Sequence, residues 1–148
     1  MANTTAMCTS FKGELLTGTH NFTPSTGNTF KAALYFATGS LGAATTVYST
    51  TNEVTNTSGS GYTAGGVTVT NANAPATSGT TAYWTPSASF SWTALTVTTA
   101  FDAVLIYNSS SGNKAVSVHN FGSQTVTAGT FTLTMPTNDA TTGLLRIA

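Results

Sequence analysis

The chain has 148 residues, enough for one domain that buries ~68–70% of the surface its unfolded form exposes, so its core needs neither disulfides nor a metal. Only 5% of its residues are charged, against the ~25% usual in globular proteins, and the formal net charge is zero. Lys12, Lys31, Lys114 and Arg146 are too few and too scattered to make the basic field that nucleic acid requires, and no apolar run approaches the ~18 residues of a membrane span.

Met7 to Thr17 is the one segment of helical character. Thr9 or Ser10 is placed to cap it, Phe11, Leu15 and Leu16 form a narrow apolar stripe, Gly13 weakens it and Gly18 ends it. Residues 1–22 therefore read either as a helix packed on a sheet edge or as an arm that docks on a neighbouring subunit. Asn21 to Asn28 is loop. Thr29 to Ala37 alternates as a strand, with Phe30, Ala32, Leu34 and Phe36 on one face and Lys31, Ala33 and Tyr35 on the other. Val47-Tyr48 is a short strand or part of a turn around Asn52-Glu53-Val54.

Asn56 to Gly66 carries Gly59, Gly61, Gly65 and Gly66. A phosphate cradle needs a helix N-terminus after such a loop, but Val67 to Asn71 follows with a strand pattern, so a bulged turn is expected. Asn71 to Thr80 reads as loop, then Thr81 to Trp84 and Ser89 to Val97 as strands, the second with Phe90, Trp92, Ala94 and Thr96 on one face. Asp102 to Tyr107 is apolar on both faces and has to lie in the middle of the fold. Asn108 to Asn113 turns it into Lys114 to His119, where Val116 and Val118 face inward and Ser117 and His119 outward. Gly122 to Gly129 reads as a connector, Thr130 to Met135 as a strand, and Leu144 to Ile147 as the last one. Short strands at this spacing predict an all-β fold: an antiparallel β-sandwich or jelly roll of about eight strands with one short N-terminal helix, spanning 1–148 as a single domain.

Chemistry is thinly supplied. His20 and His119 sit in no metal-ligand spacing, Asp102 and Asp139 occupy ordinary structural posts, and Cys8 has only Lys12 nearby to activate it. No catalytic, cofactor or metal site is expected. Thr-x-Thr pairs such as Thr68/Thr70 and Thr132/Thr134 follow no fixed repeat, which argues against an ice-binding solenoid. Asn-x-Ser/Thr triplets such as Asn56-Thr-Ser are chance in so Asn- and Thr-rich a chain. The opening residues lack the basic and apolar regions of a secretory signal, so synthesis in a cytoplasm is expected. Trp84 and Trp92, near Tyr83 and Phe90, are either core or an exposed cluster that stacks on sugar or anchors a partner. A neutral hydroxyl-and-amide surface has little charge to desolvate and little self-repulsion, which favours a homo-oligomer or larger assembly.

Several stretches resemble a family of small structural proteins of tailed bacteriophages and prophages. They are Cys8 to Leu16 with Gly18 to Phe22, Thr29 to Tyr35, Gly61 to Gly66, Leu105 to Asn108, Lys114 to Val116, Ala128 to Phe131 and Leu144 to Ala148. Trp84 to Trp92 and Phe101-Asp102 depart from the family's pattern. The resemblance implies a virion component, a capsid decoration (cement) protein on the head surface, with the major capsid protein as partner and no cofactor. The interface residues expected are Phe11, Leu15, Phe22, Trp84 and Trp92. The alternative is a tail or fibre module that binds host glycan through the two tryptophans.

Overall fold

A computed structural model describes residues 2–55 and 59–148; residues 56–58 of the glycine-rich loop, with the Asn56 triplet, lie outside the described residues. In chain order the elements are β1 (Ala6–Met7), α1 (Thr9–Leu16), β2 (Phe30–Phe36), β3 (Val67–Thr68), β4 (Ala76–Ser78), β5 (Thr81–Trp84), β6 (Phe90–Asn108), β7 (Lys114–Leu133) and β8 (Leu145–Ile147). Two antiparallel sheets result, ordered β1-β7-β6-β2-β3 and β4-β5-β8, so the molecule is an all-β sandwich with one short helix. None of its described helices is long and apolar enough to cross a membrane.

The expected centre is the centre. From Phe101 to Asn108, β6 is buried throughout, paired with β2 on one side (Lys31 with Tyr107, Leu34 with Val104) and with β7 on the other. One face of this sheet is covered by Tyr48, Glu53 and Tyr62, and Tyr48 stacks on Tyr107 at 4.5 Å. On the other face Phe22 stacks on Phe30 at 4.3 Å and Trp84 of the second sheet leans on both rings. A strand with β-branched and aromatic side chains on both faces folds this way because each face meets an apolar partner.

Several local expectations change. Residues 90–97 and 102–107 belong to one continuous strand, and the predicted connector from Gly122 to Gly129 lies inside β7. Glycine here marks irregular strand, not its end: Gly122 takes φ +83° and the ladder shifts register between Phe101 and Ala103. Ala94 also takes a positive φ, of 52°, and the extra residue turns Leu95 and Val97 inward in place of Ala94 and Thr96. β4 falls inside a segment read as loop, and β3 is shorter than its pattern. Ser117, read as outward, is buried, since it stands opposite Ile106 in a sheet covered on both faces, and its hydroxyl lies 3.0 Å from His119 Nε2. His119 is half-buried, and burial pushes its imidazole down to about 4.

The N-terminal segment is held by its own molecule. Asn3 donates to Asp102 Oδ1 (2.6 Å) and to the Phe36 carbonyl (3.0 Å), while Asn120 donates to Asp102 Oδ2 and to the Asn3 carbonyl. Asn3 and β1 are thereby stitched into the first sheet of their own molecule. α1 starts two residues after Met7, and its N-cap is Cys8 in place of Thr9 or Ser10, with no side-chain cap bond.

Candidate functional site

Two clefts flank α1. The larger is an open apolar groove of about 470 Å³ between α1, the residues after it, and β5 and β8, lined by Phe11, Leu15, Phe22, Tyr83, Trp84 and Leu145 among others. The second, of about 460 Å³, lies between α1 and β8 and is lined by Met7, Lys12, Leu15, Leu16, Arg146 and Ile147. Leu15 and Ile147 border both clefts. Leu16 is 91% exposed and Ile147 48% exposed, so the ridge between them is an apolar surface open to water.

Four of the five expected interface residues, Phe11, Leu15, Phe22 and Trp84, are thus brought to one groove, and Trp92 is not. Their burial differs from the expectation. Phe11, Phe22, Trp84 and Trp92 are core residues, with Trp84 3% and Trp92 4% exposed, and only Leu15 is half-buried. The Trp84 indole N–H is spent on Asn71 Oδ1 (2.9 Å) and the Asn73 carbonyl (3.1 Å). Trp92 packs beside Phe90 and Phe131, and its indole N–H has no partner among the described residues. Neither ring offers the open face on which a sugar stacks. The sequence pattern overlooked Leu16 and Ile147 as surface features, because a helix stripe and a terminal strand both read as core.

One imidazole and one carboxylate do converge, at His20, which lines the groove, and Glu14 behind it. His20 donates from Nε2 to Glu14 Oε2 (2.7 Å), and Asn108 donates to His20 Nδ1 (3.0 Å), an arrangement that assigns the Nε2–H tautomer. Lys114 donates to the other Glu14 oxygen (2.6 Å). Burial opposes the Glu14 charge, but the bonds from Lys114 and His20 outweigh it and hold its carboxyl below the usual range. Both His20 nitrogens and both Glu14 oxygens are engaged, and the His20 side chain has 0% exposure. The cluster fastens α1 to the central hairpin, with the imidazole enclosed and each Glu14 oxygen bonded within the molecule.

A second polar hub sits under the glycine-rich loop. Glu53, 1% exposed, accepts from the Tyr62 hydroxyl (2.8 Å) and the Gly65 N–H (2.6 Å) at Oε1, and from the Tyr48 hydroxyl (2.7 Å) at Oε2. The loop does cradle an anion, but an internal one. Burial, and then the Glu53 charge, push the Tyr62 and Tyr107 phenols up, Tyr107 to about 12. Cys8 is fully buried and desolvation raises its thiol to about 11, which makes it a poor nucleophile.

No group of three or more His, Cys, Asp or Glu residues placed to hold a metal occurs among the described residues. The polar groups gathered in the molecule serve the fold, and the surface with unmet chemistry is the apolar face of α1 and β8. Compared with protein-family models, curated proteins and solved structures, the chain matches none.

Proposed function

We propose that the chain is a virion structural protein, a capsid decoration protein that stabilises a phage head by adding buried interface between capsid subunits. The observation that carries this reading is the charge-free ribbon formed by the outer halves of β6 and β7. No ionisable side chain occurs between Thr85 and Phe101 or between Asn120 and Asn138. Its exposed positions are mostly hydroxyls and amides, among them Ser91, Thr93, Gln124, Thr125, Thr127, Thr130 and Thr132. Covering such a surface desolvates dipoles and no charge, so a neighbour can pack on it at low cost. Tightly bonded titratable groups and a paired core are what a passive building block needs, and they also support reading the chain as non-enzymatic. The glycan-binding alternative through Trp84 and Trp92 is set aside, since both rings are enclosed.

Counting copies per particle tests the proposal. Hundreds of copies, together with capsids that break at lower temperature when the protein is missing, are the expected result. A dozen copies or fewer, or heads equally robust without it, would refute it.

A further inference from the structure

We infer that the face between α1 and β8 receives an extended segment of a different protein, apolar at alternate positions and carrying an acidic side chain, which adds as a strand to the open edge of β8. Three features of the face point to this occupant. Among the described residues β8 is paired on one side only, with β5, through Ala82–Ile147, Tyr83–Arg146 and Trp84–Leu145. Its other edge lies beside the cleft shared with α1, and unpaired strand N–H and C=O groups are a template for another strand. Apolar clefts on either side of the Leu15–Ile147 ridge suit side chains that alternate along an extended backbone. The rim is basic, with exposed Lys12 on α1 and exposed Arg146 on β8.

Charge decides against a second copy of this chain. A two-fold pairing through this face would gather Lys12 and Arg146 of both copies, four cations, at one interface. The chain also has no exposed acidic strand to offer. Glu53 and Asp102 are buried, Glu14 is bonded to His20 and Lys114, and Asp139 caps a turn by accepting from the Thr141 and Thr142 N–H groups. Arg146 is steadied by the Thr141 carbonyl, to which it donates, and by the nearby Asp139, so its guanidinium is held at the rim. A fatty acid would match the apolar cleft and the cations but would leave the β8 backbone edge unused. This inference concerns the surface alone, and it stands or falls independently of whether the partner belongs to a capsid.

The probe is a capped heptapeptide of leucine alternating with threonine around a central glutamate, compared with the same peptide carrying lysine at the centre. Binding is followed by fluorescence anisotropy and by amide chemical shifts of ¹⁵N-labelled protein. The expected result is saturable binding with shifts centred on Leu145 to Ile147, and an affinity about fivefold higher for the glutamate peptide, as rim charges give. Leu16→Glu, at a fully solvated position, should weaken binding of the glutamate peptide about tenfold while leaving the melting curve unchanged. Lys12→Glu with Arg146→Glu should reverse the preference between the peptides. Absence of saturable binding, equal affinity for the two peptides, or shifts confined to β6 and β7 would overturn the inference. Saturable binding of sodium decanoate to this face without binding of either peptide would overturn it in favour of a lipid-like ligand.

Discussion

Replacing Glu53 with alanine removes the acceptor on which one cover of the central sheet converges. Three donors lose their partner: the Tyr48 hydroxyl, the Tyr62 hydroxyl and the Gly65 N–H, now 2.7, 2.8 and 2.6 Å from the carboxylate oxygens. Tyr48 is half-exposed and regains water, whereas Tyr62 and Gly65 are buried. Each buried donor left without an acceptor costs about 1–3 kcal/mol, which puts the loss at about 2–6 kcal/mol. Removing the carboxylate also returns its own desolvation cost, so the lower half of that range is expected. Against a total stability of about 5–15 kcal/mol for a domain, the effect is large. Urea unfolding followed by Trp84 and Trp92 fluorescence measures it. Glu53→Gln retains one acceptor oxygen and should lose about half as much, and Tyr48→Phe about 1 kcal/mol. A Glu53→Ala protein within 1 kcal/mol of the parent, or one no weaker than Glu53→Gln, refutes the idea that the carboxylate organises the loop.

Acid should destabilise the fold in two stages. The folded His119 imidazole lies near 4 against an ordinary 6.5, so the unfolded chain binds the extra proton; stability is full above pH 6.5 and falls by up to about 3 kcal/mol as pH drops to about 4. Glu14, held below its ordinary range, adds a loss as pH falls below that range and through its folded value. Urea midpoints at pH 7 and 4.5 should converge in His119→Gln relative to the parent; an unchanged pH slope would refute the assignment. Gly13 lies within α1 with open space where a Cβ would stand, so Gly13→Ala should stabilise by about 0.5–1 kcal/mol, read as a higher melting temperature. Gly66→Ala should cost about 3 kcal/mol or more, since Gly66 has φ +72° and its Cβ would meet the Ala32 carbonyl. A Gly66→Ala melting curve matching the parent would count against that close approach.

Alternation made the first sheet legible. Phe30 to Phe36 carries its burial in its residue types, as do Val116 and Val118 but not Ser117, and in the second sheet Thr81 to Trp84 is bounded by turn formers at both ends. What the pattern hid is geometry set by neighbours far along the chain. Ala94 turns its strand over with a residue whose type gives no hint of positive φ, and the Gly61 backbone packs against the Ala94 carbonyl there. Gly122 and Gly129 looked like punctuation, yet glycine inside a strand often marks a bulge, as Gly122 does here. The groove was half-visible: Phe11, Leu15, Phe22 and Trp84 stood out as large side chains, but periodicity does not say which of them stay wet. Nor does any local pattern join His20 to Asn108, or Asn3 to Asp102. Buried polar hubs of this kind leave no periodic trace, since each partner comes from a different turn or strand end.

The position of β6 also sets the order in which the molecule can be built. Its partner β7 follows after a short turn, but its other neighbour, β2, ends at Phe36, well before the paired stretch that begins at Phe101. On a ribosome moving at about 5–20 residues per second, that gap is several seconds during which the apolar strand Phe30–Phe36 waits for a mate. The β6–β7 hairpin can close only at the end of that interval, and β2 gains its long pairing with β6 no earlier. Contacts this distant along the chain make for slow assembly, and while β2 has only the short β3 to pair with, the nascent polypeptide is open to clumping or to protection by a chaperone.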